Sequence, residues 1–187
     1  MAGVLCAYML QQAGIPYVLA EAQSICSGIT KNTTAKITVQ HSLIYDKLIR
    51  KFGVEKARQY LEANESALCK YRELCRDIDC DYEEKPSYVY SLDDRLKIEK
   101  AILALEKLAR HAEFTQRLPL PFSVAGAVKY PNQAQFHPLK FISAISKGLR
   151  ISEHTTVREL VGTTSITNYG KIIAKKNHCS HALSVFK

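Results

Sequence analysis

Gly3 and Glu21 are the residues whose spacing points most directly to chemistry. Between them lie an apolar stretch, Val4-Leu5-Cys6-Ala7-Tyr8-Met9-Leu10, a break at Ala13-Gly14 and a short run, Pro16-Tyr17-Val18-Leu19-Ala20. Helix, glycine stop, strand and acid form the second half of a dinucleotide-binding βαβ unit. In that unit an acidic residue follows the G-x-G-x-x-G turn by roughly 20 positions. Gly3 stands where the last glycine would fall, and Glu21 comes 18 positions after it. Glu21 also reads as an ordinary acid at a strand end. The first strand and the first two glycines of such a unit are not in the sequence, so the chain is expected to be part of a larger protein, with Met1 an internal methionine.

Other residues carry chemistry of their own. The stretch from Ala22 to Lys36 is rich in hydroxyls and small side chains and reads as a loop. Its hydroxyl and backbone N–H groups could hold a phosphate or a ribose; the alternative is an irregular, capped connection. His41 and His137 are candidates for acid–base work or for structural roles. His178, Cys179 and His181 resemble metal ligands, but three donors on a short tail are a weak signal, and no metal is expected.

The elements that must position these groups follow from periodicity. A helix is predicted from Val4 to Gly14, a natural glycine stop. The strand at 16–20 is apolar on both faces, as in a parallel sheet covered by helices. From Ser42 the pattern turns helical up to Phe52-Gly53, then again from Val54 to Asp77. There Ala57, Tyr60, Leu61, Ala67, Leu68, Tyr71, Leu74 and Ile78 make an apolar stripe. Pro86 to Tyr90 alternates and is β-like, and Asp93–Arg110 is helical. Leu118-Pro119-Leu120-Pro121-Phe122 must be extended, because proline disfavours helix in the residue before it. Val124–Tyr130 reads as a strand, and Pro138 opens a helix through Leu149. Strands at 149–151, 156–161, 165–167 and 171–174 complete the chain, with a three-residue hairpin loop at Asn168-Tyr169-Gly170.

Composition bounds the function classes. The 187 residues are 47% hydrophobic and 24% charged, ordinary for a globular domain with room for a small cap. No apolar run approaches the roughly 18 residues that span a bilayer, and the N-terminus does not read as a secretory signal. The six cysteines, at 6, 26, 69, 75, 80 and 179, form no C-x-x-C pair and suit thiols in a reducing cytoplasm. The net charge of +8 is scattered except near the end, at Lys171, Lys175, Lys176 and Lys187. No aromatic-plus-basic motif accompanies it, so nucleic acid is a minor alternative as partner.

Several segments resemble FAD-dependent oxidoreductases of the glycine/D-amino-acid oxidase type. They are Gly3, Glu21-Ala22, the run Gly28 to Thr38, Gln40-His41 with Tyr45, Gln133 to Phe141, and Ile151 to Val157. The bacterial subgroup that can carry a C-terminal Rieske domain is the most similar. The resemblance covers residues 1 to about 176. It implies an α/β fold, an incomplete Rossmann-like FAD/NAD(P)-binding domain with a small α+β cap. The implied division is 1–80 and 135–187 for FAD and 81–134 for substrate.

By the same resemblance Gly3 lets its helix pack close to the first strand, and Glu21, beside Ala22, accepts from both hydroxyls of the adenosine ribose. Thr30, Thr33, Thr34, Ala35 and Lys36 line the pyrophosphate and flavin, Lys36 balancing charge near the flavin N1–C2 region, unless it is a solvated surface lysine. Val157 lends its backbone to the adenine, or is a plain strand residue. Asn32 stands near where some relatives attach FAD through a histidine, so non-covalent FAD is implied. The implied substrate is a small amine or amino acid, oxidised by hydride transfer from the carbon next to nitrogen, in the cytoplasm. The chain departs from the family at its start and from Asn177 onward, so impaired FAD binding and absent oxidase activity are expected. A non-catalytic remnant is the alternative.

Overall fold

The computed structural model describes residues 1–174. In chain order the elements are α1 (Ala2–Gln12), β1 (Leu19–Ala20), a 3-10 turn (Ile29–Asn32), β2 (Lys36–Ile37), α2 (Ile44–Cys75), β3 (Glu83–Ser91), α3 (Arg95–Lys107), β4 (Glu113–Thr115), β5 (Gly126–Gln135), α4 (Pro138–Ile145), β6 (Ile151–Ser152), β7 (Val157–Val161), β8 (Thr164–Thr167) and β9 (Gly170–Ile173). They form two compact units, one made of Met1–Thr34 and the chain from Pro138 onward, the other of Ala35–His137. The architecture is mixed α/β.

In the first unit α1 ends as its glycine foretells. Gly14 takes φ +65, its N–H donates to the Gln11 carbonyl, and the Ile15 N–H donates to that of Leu10. This reciprocal pair satisfies two carbonyls that a helix end leaves open. α1 buries Val4 and Ala7, α4 buries Phe141, Ile142 and Ile145, and the two helices pack together. α4 stops at Ile145, short of the expected Leu149, and the chain turns at Gly148, φ +75.

β1 and β6 run parallel, with Leu19 opposite Ile151 and Ala20 opposite Ser152. β7, β8 and β9 form the expected antiparallel meander. Its second hairpin pairs Thr167 with Gly170, so the loop is Asn168-Tyr169 and Gly170 belongs to the strand, contrary to the three-residue expectation.

The second unit is built on β5. β2, β3 and β4 all pair with it antiparallel. β5 runs to Gln135, beyond the expected Tyr130, because β2 and the start of β3 extend the ladder. The register slips between Lys85 and Ser87, at Pro86, which has no N–H for the ladder. α2 is one long helical stretch broken by Gly53, φ 84 and ψ 166, at the predicted boundary between two helices. Leu61 and Leu68 of α2 face the unit's core, as do Ile98, Ala101 and Leu105 of α3. Asp94 caps α3 by accepting the Lys97 N–H at 2.9 Å. Arg110 grips Glu65 with two N–H donors, at 2.7 and 2.8 Å.

The compact units break at 34/35 and 137/138. β2 pairs with β5 and α2 packs on α3, which commits residues 35–80 to the second unit.

Candidate functional site

Glu21 immediately follows β1 at the carboxyl end of the parallel pair. Its backbone N–H donates to Ser152 at 3.0 Å, and its carbonyl accepts from Thr155 at 2.8 Å. The side-chain Oε1 accepts the Gln23 N–H at 3.0 Å and holds the start of the next loop. Oε2 has no protein partner among the described residues, and the residue is half-buried.

Glu153 does the matching work after β6. Its carboxylate accepts the Ile25 N–H at 2.6 Å, while the His154 N–H donates to the Gln23 carbonyl at 3.0 Å. The two loops beyond the strand pair are thus laced together by one acid from each side. Glu153 and Gln23 are absent from the sequence-predicted set. The available signal was the place of Glu153 directly after a short strand, the same place Glu21 holds after β1.

The N-terminus of α1 lies against the 3-10 turn. The Met1 ammonium donates to Thr30 Oγ1 at 3.1 Å, and no side chain caps the helix. Gly3 is in the first turn of α1, where backbone N–H groups lack intrahelical acceptors. Cys26, also missed from sequence, sits in this group with φ 62. Burial pushes its thiol up; the Met1 ammonium and a hydrogen bond with Thr30 oppose that, and the Glu21 charge adds to it. Those influences place Glu21, Cys26, Thr30 and the α1 N-terminus in one neighbourhood.

Of the remaining predicted residues in this unit, Ala22 is exposed, as are Thr33 and Thr34 after the 3-10 turn. Val157 opens β7 opposite Thr167, two residues beyond the Thr155 that bonds to Glu21. Ala35 and Lys36 belong to the other unit. Ala35 is buried with φ 53 and its carbonyl accepts the Phe136 N–H at 3.3 Å; Lys36 is exposed opposite Gln135.

His41 Nδ1 shares a hydrogen bond of 3.2 Å with the Tyr60 hydroxyl, and the His137 N–H donates to the Cys80 carbonyl. Among the described residues no group of three His, Cys, Asp or Glu side chains is placed to hold a metal. His178, Cys179 and His181 lie outside the described residues, as do Lys175, Lys176 and Lys187. No described helix is long and apolar enough to cross a membrane.

A family model described as FAD dependent oxidoreductase matches residues 1–178. The chain belongs to this family. It is 37% identical over 167 residues to YhfW of Bacillus subtilis strain 168, which is named as a Rieske 2Fe-2S iron-sulfur protein; the match covers 84% of this chain and 33% of that protein.

Solved structures share the fold. Glycine oxidase from Bacillus cereus ATCC 14579 is similar with TM-score 0.62 and 23% identity, over 93% of this chain and 50% of that one. L-proline dehydrogenase from P. horikoshii gives TM-score 0.71 at 16% identity, over 91% of this chain and 47% of that one. L-amino acid deaminase from Proteus vulgaris gives 0.62 at 13%, over 91% and 42%. The chain therefore spans about half the length of these solved relatives and a third of the curated one.

FAD is the cofactor of this family, and the first unit offers groups that fit its adenosine and phosphate end. Glu21 Oε2 is an accessible acceptor for ribose hydroxyls. The uncapped α1 N-terminus presents N–H donors and positive potential, which favour a phosphate.

Proposed function

We propose that this chain is the FAD-binding portion of an enzyme that oxidises a small amine or amino acid, with the cofactor held non-covalently. The observation that carries the reading is Glu21: a carboxylate at the carboxyl end of a parallel strand, with one oxygen fixing its own loop and the other open. Glu21 binds the adenosine ribose. The first turn of α1 at Gly3, with Thr30, Thr33 and Thr34, binds the pyrophosphate. Ala35 and Lys36 face the flavin, and the Val157 backbone borders the adenine. Ala22 follows Glu21 and leaves room beside the ribose. When bound, FAD supplies the two-electron acceptor for oxidising a C–N bond to an imine, which water hydrolyses. Residues 1–80 and those from 135 onward serve the cofactor, and 81–134 belong to the substrate side.

The isolated chain is expected to bind FAD weakly and to show no oxidase turnover. Among the described residues the sheet beneath Glu21 is one parallel pair with two residues in each strand, too small to hold its loops rigid. A titration of the purified chain with FAD, followed by flavin fluorescence, tests this. Glu21→Gln removes the charge and lowers FAD and ADP-ribose affinity by on the order of tenfold, the loss of one charge-assisted hydrogen bond. Equal affinity in both proteins overturns the assignment of Glu21. A yellow, stoichiometric complex straight from purification overturns the weak-binding expectation.

A further inference from the structure

Asn168 opens the β8–β9 loop, and asparagine in such a loop commonly serves by taking a left-handed backbone. Here that role falls to Gly170, at φ +134, and not to Asn168. The loop is closed from its own side: the Tyr169 N–H donates to Thr167 Oγ1 at 3.1 Å, and that hydroxyl donates to the Gly170 carbonyl at 2.9 Å. The Asn168 side chain is directed instead at the turn after β6. Its Nδ2 donates to the His154 carbonyl at 3.0 Å, and its Oδ1 accepts the Thr156 N–H at 2.8 Å. These two partners fix which way the amide points, because a carbonyl needs an N–H and an N–H needs an oxygen. His154 is itself left-handed, φ 55, a conformation that a side chain with a Cβ resists. The same turn holds the loop that follows Glu21. The His154 N–H donates to the Gln23 carbonyl at 3.0 Å, the Glu153 carboxylate accepts the Ile25 N–H at 2.6 Å, and the Thr155 N–H donates to the Glu21 carbonyl at 2.8 Å.

We infer that Asn168 is a positioning residue for the adenosine end of the cofactor site: by holding His154 in its left-handed turn, it sets the segment from Glu21 to Ile25. The inference rests on the reading of Glu21 as the ribose acceptor. Asn168 acts through the turn and not on the ligand itself. A strained residue persists only where its surroundings over-determine it, and such residues gather at ligand clamps. Here the bonds to Gln23 on one side and to Asn168 on the other supply that constraint. With Asn168 shortened to alanine, the His154 carbonyl and the Thr156 N–H turn to water. The turn is then free to leave φ 55, and the bonds to Glu21 and Ile25 loosen with it. Glycine at position 154 takes the same φ without strain, so it makes the turn independent of the asparagine.

The test uses the full chain and ADP, which carries the ribose and the pyrophosphate without the flavin. ADP binding is followed by calorimetry, and amide exchange of the ligand-free chain by NMR. Asn168→Ala should weaken ADP about fivefold and speed Ile25 exchange by a similar factor, as the loss of one hydrogen bond predicts. Ser165 and Ile172, which pair across the β8–β9 ladder, should exchange as before. Adding His154→Gly to Asn168→Ala should bring affinity and exchange back to within about twofold of wild type. Unchanged Ile25 exchange in Asn168→Ala overturns the inference. So does exchange that rises equally at Ser165 and Ile172, which would make Asn168 a strut of its own hairpin, and so does a double variant no better than Asn168→Ala. Glu21→Gln keeps the two failures apart. ADP affinity equal to wild type in that variant removes the Glu21 reading, while the exchange comparison still decides the role of Asn168. Where Glu21→Gln does weaken ADP and Asn168→Ala does not, the inference alone falls.

Discussion

The second unit encloses Leu61, Ile98, Leu105, Leu108 and Val128 almost completely beneath strands of nine and ten residues, whereas the strand pair that carries Glu21 in the first unit is two residues long. Both units leave apolar side chains more than half exposed, Ile15, Val18, Ile29, Tyr169 and Ile173 in the first and Leu92, Leu96 and Leu103 in the second. The first unit's order at the site comes from hydrogen bonds between loops, through Glu21, Glu153, Gln23 and Thr155. The lesson is that stability and ligand contact are built from different materials here. Apolar burial sets the second unit, and directed polar contacts set the loops of the first. Loops of the latter kind open at low cost, as ligand-binding segments commonly do.

Four measurements break or sharpen that contrast. The largest effect is expected for Leu61→Ala, which empties a fully enclosed position of the second unit. It should lose about 2–5 kcal/mol in urea unfolding, and a loss under 1 kcal/mol would show that the core relaxes like a surface.

Next is alkaline pH. Burial, then the neighbouring Glu65 carboxylate, raises the Tyr130 hydroxyl from 10.0 to about 12, with Arg110 opposing. The folded chain thus keeps a proton that the unfolded chain releases. That stability is complete below pH 10 and lost as pH rises toward 12, by on the order of 2 kcal/mol. Urea midpoints across this window should fall for the wild type and fall less for Tyr130→Phe; parallel curves would refute the coupling.

Asp94→Ala removes the α3 cap and should cost ~1 kcal/mol. An unchanged midpoint would mean that the Lys97 N–H finds water equally well.

Glu21→Gln should change unfolding by no more than ~0.5 kcal/mol, the smallest of the four, while FAD affinity falls. A large stability loss at Glu21 would move that residue from the ligand side of the contrast to the structural side.

Helix positions were the most readable part of the chain. The glycines at 14 and 53 act locally, through backbone conformations that other side chains resist, and both break helices where the sequence predicted. Of the predicted stripe, Ala57, Leu61 and Leu68 are buried, since a 3.6-residue repeat depends only on neighbours along the chain, whereas Tyr60 and Ala67 are exposed. The meander was visible for the same reason, apart from the residue count of one loop.

Non-local pairing was not readable. Nothing near Lys36-Ile37 announces that its partner is Gln135-Ala134, yet that pairing draws residues 35–80 into the second unit. β4 is three residues long and acquires its strand character only from β5. At the site, Glu21 was found by spacing, whereas Glu153 joins its neighbourhood across a long stretch of chain. Periodicity, turn residues and one acidic position are properties of consecutive residues, and so they can be read in order. Strand partners and shared hydrogen bonds exist only once distant segments have paid their closing entropy and met.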